Sequence, residues 1–498
     1  MDGNTPLSTS KTPRGLRRLS IFAAVLVIAL LIGSWAVLVN RTTRQSTLSA
    51  AAKSVPLKQN KDVYIGHNQV LYKLNGRTGA VIWQQHLKRS YPLDRRAASF
   101  FGVEVAEDVV YAALDHDFSA FRSSDGKELW HRHILPTASL TPENLRIVGE
   151  EVEQGTLYLW HANSTVSSHS AQDGAPKWSN LVAEWGSVQY GTLYMTVWSD
   201  TQERSFLYAL DAKTGKERWH FASPSLPGAG SIDPRVVDGV VYVGWGGYLY
   251  ALNAQTGQQL WMYRLPQYHE FFQTQITNGV VYARSQYAFM EAPRDQIADA
   301  MRVRAFHAKT GALLWTSGPD ESLYSQGVPT GGDVIMTYHA LTKSSGTNDN
   351  NPSTGDLNHA VTRSDGYSLS VINAKDARFL WQIQVPAGSG SVYPWVSIMD
   401  GRLYLFEGGK TPSLQTFDVH SGKKLGQHPL PIDPEKLVLS GVDNGIAYML
   451  SAATGYYKET GDESISAIRL PDGSLAWQMR LGAVKNHEDA ISALILAP

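Results

Sequence analysis

The chain has 498 residues, 43% hydrophobic and 18% charged, with 43 glycines, 14 tryptophans and no cysteine. That length exceeds one ordinary domain unless the fold is a repeat that grows by addition. The lack of cysteine excludes disulfides, thiolate metal sites, a cysteine nucleophile, a covalent c-type haem site and a lipidated cysteine anchor, while the net charge of −1 conceals an uneven distribution.

The first 44 residues carry six basic side chains (Lys11, Arg14, Arg17, Arg18, Arg41, Arg44) against one acid, Asp2. The remainder is therefore mildly acidic, which argues against a nucleic-acid partner. Residues 1–20 read as a cytoplasmic basic tail. Ile21 to Val39, "IFAAVLVIALLIGSWAVLV", is nineteen residues without a charge. At ~1.5 Å per residue that run spans a hydrocarbon core of roughly 30 Å. Four basic residues precede it and two follow closely. The positive-inside rule then predicts a single transmembrane helix in the plasma membrane, with the N-terminus cytoplasmic and the body extracytoplasmic. A cleaved signal peptide is the competing reading, with a shorter apolar run and a small-x-small site soon after it. The nearest such site, "SAAAKS" at Ser49, lies ten residues beyond the run, so residues 21–39 read as an uncleaved anchor and 40–60 as a tether.

From residue 61 onward one pattern recurs nine times. The clear copies are "YALDAKTGKERW" (208–219), "YALNAQTGQQLW" (250–261) and "RAFHAKTGALLW" (304–315). Weaker copies occupy 73–83, 120–130, 168–178, 370–381, 416–426 and 467–477. Eight end in tryptophan (Trp83, Trp130, Trp178, Trp219, Trp261, Trp315, Trp381, Trp477), and the exception has Gly426. Upstream of each stands an apolar run reaching Tyr64, Tyr111, Tyr158, Tyr194, Tyr242, Tyr282, Tyr404 or Tyr448, with Met336 in the seventh copy.

Each unit reads as four short antiparallel strands. Asp-Gly or Asn-Gly between apolar runs, as in "DGVVYVG" and "NGVVYAR", is a strong hairpin signal because both turn residues need positive φ. "VVYVG" and "YLYAL" are strand sequences, "NAQTG" is a turn with a left-handed glycine, and "QQLWMY" is the closing strand. With no long helix between units, a parallel α/β fold is excluded. Packing such sheets radially buries their faces and leaves short, protected edges. The eight tryptophans are expected to act as structural staples between blades. The first copy begins at its second strand, near Asp62, and the tail "AISALILAP", 490–498, is a spare strand that can close the ring.

The "ALDAKTGKxxW" pattern resembles the PQQ-like (quinoprotein-type) β-propeller repeat over nearly all of residues 61–498. The resemblance implies an all-β propeller of four-stranded antiparallel blades. It implies eight blades, whereas nine motif copies are present; the copies at 168–178 and 416–426 are those that could fail to form blades of their own. It also implies one of two functions. Quinoprotein dehydrogenases hold PQQ and calcium near the ring axis, with an aspartate base. Members of the BamB type bind no cofactor and act as scaffolds. Many of the dehydrogenases use adjacent cysteines or a CxxCH haem motif, and neither exists here. No local Glu, Asn and Asp set matches the family's calcium ligands, so no catalytic, cofactor-binding or metal residue is assigned.

Other polar candidates read as structure. Asp115, His116 and Asp117 in "LDHDF" suit a polar hairpin turn. His131 and His133, two apart on one strand face, suit an exposed edge. "TNDNNPSTGD" (347–356) is rich in oxygen ligands but lacks the spacing and terminal glutamate of a calcium loop. Insertions say more. The Tyr-to-Trp spacing stretches to 33 residues in the sixth copy, 45 in the seventh and 29 in the ninth. All three fall between the second and third strands, so they emerge on one face, where a repeat protein can build a partner site; residues 291–301 suggest a short helix and 341–366 a long loop. The sequence therefore favours a membrane-anchored, non-catalytic scaffold for a protein or extracellular ligand. A membrane-bound PQQ-dependent dehydrogenase of alcohols or sugars is the alternative.

Overall fold

The computed structural model describes residues 61–67, 69–88, 101–114, 117–134, 147–161, 165–181, 185–199, 204–223, 234–245, 247–266, 269–287, 302–317, 333–341, 366–386, 395–408, 411–432, 437–451, 461–484 and 493–497. The chain divides into residues 1–51 and 52–498, and every described residue lies in the second unit. The apolar run 21–39 lies outside the described residues. Among those described, no helix is long and apolar enough to cross a membrane.

The described strands form nine antiparallel sheets, eight of four strands and one of three. Nine blades therefore replace the eight that family resemblance suggested. The two doubtful copies each close a sheet of their own: Thr165–Ser170 pairs with Pro176–Leu181, and Ser413–Asp418 with Lys424–Pro429. Each has its own tight turn, with Gly174 and Gly422 at positive φ, so nothing in either copy stops a blade from forming.

Blade 5 illustrates the build. Its strands are Arg235–Val237, Val240–Trp245, Tyr248–Asn253 and Gln259–Arg264, paired in sequence order. Asp238 and Gly239 make the first hairpin with φ of 51° and 75°, the twist that matches flanking strands. The strand register places Tyr242 opposite Ala251, and Ala251 opposite Trp261. The small alanine leaves room for the two flanking rings to meet across it, with centroids 5.9 Å apart at 50°. Equivalent rows hold Tyr111, Ala120 and Trp130, or Tyr448, Ala467 and Trp477.

Cores lie between blades rather than within them. One cluster joins Tyr242, Ala251 and Trp261 of blade 5 to Val281, Ala283 and Phe306 of blade 6. Another joins Tyr448, Ala467 and Trp477 of blade 9 to Val63, Ile65 and Leu496 of blade 1, so the ring is closed. Blade 1 has the strand order Val81–His86, Val70–Leu74, Asp62–His67, Ala493–Ala497. Its innermost strand comes from the other end of the chain, with Asp62–Gly66 paired to Ala493–Ala497.

Candidate functional site

The ring has two chemically different ends. At the end carrying the first hairpin and the turn between strands three and four, aromatic side chains close each joint between blades. Trp261 donates its indole N–H to the Ala308 carbonyl of the next blade at 2.8 Å, and the Tyr242 hydroxyl donates to the same oxygen at 3.2 Å. Gly311, at φ 69°, lies flat against that indole; a Cβ there would stand 2.6 Å from the ring. The recurring Thr-Gly is thus explained by close approach as well as by backbone conformation.

The same joint recurs around the ring. Trp130 and Tyr111 donate to Ala171, Trp178 and Tyr158 to Ala212, Trp219 and Tyr194 to Ala254, and Trp315 and Tyr282 to Ala374. Trp477 and Tyr448 donate to Gly76 across the closure. In blade 1, Trp83 and the buried Lys73 share the Ser123 carbonyl, and Lys73 also pairs with Asp62 at 2.9 Å. Trp381 donates to Val419 alone, since Met336 has no hydroxyl. Burial pushes the hydroxyls of Tyr111, Tyr158 and Tyr242 up to about 12, with lesser contributions from nearby carboxylates.

Near the axis, the first strands of successive blades approach one another. Some of their side chains satisfy backbone groups of the neighbouring blade. Val188 N–H donates to Glu151, while Tyr190 and Gly191 N–H donate to the two oxygens of Glu153. Val236 N–H donates to Gln189, and Lys61 N–H to Asp443.

The opposite end, where strands two and three join, carries a belt of buried polar side chains. Asp117 is buried on the first position of its strand, not in a turn. Its Oδ1 lies 3.4 Å from His131 Nε2 and 3.2 Å from His133 Nδ1, and His131 Nδ1 meets the Ser119 hydroxyl at 3.0 Å. The pairing of Asp117 with His133 and Ser119 with His131 across adjacent strands creates this cluster. Both histidines are about one-fifth exposed (21% and 22%), so they belong to a packed polar network rather than a bare edge.

Further members were not singled out by sequence pattern. His161 and His169 flank the Ser167 hydroxyl at 2.8 and 2.9 Å, and burial lowers the proton affinity of His169. His67 of blade 1 reaches Glu463 of blade 9 at 3.5 Å, both buried. Arg304 bonds Ser285, and Glu407 accepts from Ser413 and Gln415. The available signal was polar residues at the adjoining ends of strands two and three, where apolar residues are expected. Three connections leave this end without described residues over 288–301, 342–365 and 452–460, so 347–356 and the proposed helix at 291–301 lie outside the described residues, as do Asp115 and His116.

A quinone with calcium needs oxygen donors converging on one point. Among the described residues, no group of three His, Cys, Asp or Glu side chains could hold a metal. Glu151, Glu153 and Asp443, the inner acids named above, accept from backbone N–H groups.

A family model described as outer membrane protein assembly factor BamB matches residues 39–148, 143–296, 203–346 and 299–495. No curated protein matches the chain. Among solved structures, BamB from Moraxella catarrhalis is similar at 16% identity, covering 72% of this chain and 92% of that one, with a TM-score of 0.44. A quinohemoprotein alcohol dehydrogenase from Pseudomonas putida HK5 is 14% identical, covering 73% and 74%, with a TM-score of 0.39. A europium-containing methanol dehydrogenase is 16% identical, covering 82% and 81%, with a TM-score of 0.38. Since the family matches overlap from residue 39 to 495, and the repeat they describe is the one that builds the nine blades, the chain belongs to the PQQ-like β-propeller family described as outer membrane protein assembly factor BamB.

Proposed function

We propose that this protein is a non-catalytic scaffold that binds a protein partner outside the cytoplasm, tethered to the membrane through residues 21–39. One observation carries the reading: the repeating chemistry of the blades is spent on the blades. The tyrosine hydroxyls and indole N–H groups bond the next blade's carbonyl, and inner acids cap neighbouring backbone. Specific recognition then belongs where the copies differ, at the end carrying the three insertions. The family's description as an assembly factor agrees with this reading.

Deleting 342–365, with a short glycine-serine bridge in its place, should abolish partner capture while the ring keeps its melting temperature. Full-affinity capture by that variant would remove the insertion face from the proposal. The dehydrogenase alternative is tested by adding PQQ and calcium to the purified protein. We expect no dye-linked oxidation of alcohols or sugars and no quinone absorbance surviving gel filtration; either signal would overturn the scaffold reading.

A further inference from the structure

Eight joints between blades hold an indole from a closing strand. In the ninth, between blades 8 and 9, the closing strand supplies none, and the Trp395 ring that packs into this joint comes from the first strand instead. Its row reads Tyr404, Thr416, Gly426, and the closing strand Lys424–Pro429 carries no tryptophan. The acceptor is nevertheless in place. Leu470 N–H donates to the hairpin carbonyl of Gly445 as Ala308 N–H does to Gly279, which sets the Leu470 carbonyl in the position that receives an indole elsewhere. Among the described residues, no indole or tyrosine hydroxyl reaches it.

The turn glycine is in place as well. Gly473 has φ 68°, like its counterparts. At seven sister glycines an indole atom lies 2.5 to 2.9 Å from the Cβ position; at Gly473 the nearest atoms are His428 Cβ at 3.2 Å, Leu414 Cβ at 3.5 Å and Leu430 Cδ2 at 3.6 Å. The imidazole of His428 folds back along its own strand, with Nε2 3.2 Å from the Cβ position of Gly426. Thr416 stands where five other rows have alanine. It is only 5% exposed, and its hydroxyl has no hydrogen-bond partner among the described residues. A buried hydroxyl left without a partner costs about 1–3 kcal/mol; Ser168, at the same row position beside Trp178, is likewise without one.

We propose that this joint is a binding slot for a tryptophan side chain presented by a protein partner. The occupant is identified by the chain itself, because eight sister joints define the shape and the acceptor that an indole uses in this frame. The His428 ring swings out, the indole lies over Gly426 and Gly473, and its N–H donates to the Leu470 carbonyl. Gly426 is partly open to solvent. The proposal rests on the scaffold reading for its partner, but the slot is testable without one.

The test titrates the full chain with N-acetyl-tryptophanamide, N-acetyl-phenylalaninamide and free indole, read by melting temperature and by the His428 ring resonances. The tryptophan amide should bind at least tenfold tighter than the phenylalanine amide, with displaced His428 signals. His428→Ala, which removes the ring lying beside Gly426, should tighten binding several-fold. Gly426→Trp should fill the slot, raise the melting temperature and abolish binding; if that variant fails to fold, the His428→Ala comparison decides. Equal binding of the two amides, or no tightening in His428→Ala, overturns the slot. Free indole binding tenfold tighter than the tryptophan amide would overturn the protein source and assign the slot to a small molecule. None of these results depends on partner capture through the insertion face, so the slot can fail while the scaffold reading stands.

Discussion

The joint between blades 5 and 6 makes a quantitative prediction about shared acceptors. The Ala308 carbonyl accepts from Trp261 at 2.8 Å and from Tyr242 at 3.2 Å. Replacing Tyr242 by Phe removes one donor yet leaves the carbonyl satisfied, so it should cost about 0.5–1.5 kcal/mol, the net worth of one hydrogen bond. Trp261→Phe should cost about 1–2 kcal/mol, since it also removes part of a buried ring. The double variant strips the carbonyl of both donors in a joint where both rings are more than nine-tenths buried. An orphaned buried acceptor adds about 1–3 kcal/mol, so the double variant should exceed the sum of the singles by on the order of 1–2 kcal/mol, a coupling within the usual range for contacting residues. Urea unfolding followed by far-ultraviolet circular dichroism measures all four corners of the cycle. Strict additivity would refute the idea that the two side chains serve a single acceptor.

Other consequences are simpler to test. Gly257→Ala should destabilise by about 2–5 kcal/mol, because the new Cβ would stand 2.6 Å from the Trp219 ring and a left-handed non-glycine residue adds about 1–2 kcal/mol to the overpacking. Ala377 is the reverse case: it holds φ 57° where the sister turns have glycine, so Ala377→Gly should raise stability by roughly 1 kcal/mol in the same urea assay. Alkaline titration followed at 295 nm should show tyrosines that resist ionisation until about pH 12, Tyr111, Tyr158 and Tyr242 among them. Their folded values lie above the ordinary value near 10, so the stability they contribute is complete below about pH 10 and falls as pH rises toward 12, by roughly 1.4 kcal/mol per unit for each group. A single tyrosine transition near pH 10 in the folded protein would contradict this. Removing Ala493–Ala497 exposes the inner edge of Asp62–His67 and should lower the melting temperature of the whole ring, not of blade 1 alone.

The blades were legible in the sequence because each must present the same row to its neighbour. That demand stamps tyrosine, a small residue, glycine and tryptophan at fixed offsets, and nine stamps give nine sheets. The acceptor of each joint was not legible, because the carbonyls of Ala308 or Gly76 belong to a different repeat and carry no side-chain signature. Asp117 was misread for a related reason. "LDHDF" has the composition of a turn, but the register that seats Asp117 opposite His133 is set by the bulge between Ala120 and Phe121, which the residue types do not announce. Gly426 stood out as an exception in a column. Only the position of Leu470 gives that exception a meaning.

Every described indole joint also has a direction: a blade donates forward and accepts from behind. Such couplings carry no address, since the donor row of blade 3 would fit the turn of blade 5 as well as that of blade 4. At two of the joints a short tether supplies the order. Only three residues separate Leu181 from Trp185, and four separate Arg264 from His269. A blade so tethered meets its rightful neighbour at a local concentration that no distant blade can match. Lengthening those connectors should thus scramble blade order during refolding long before it weakens any finished joint.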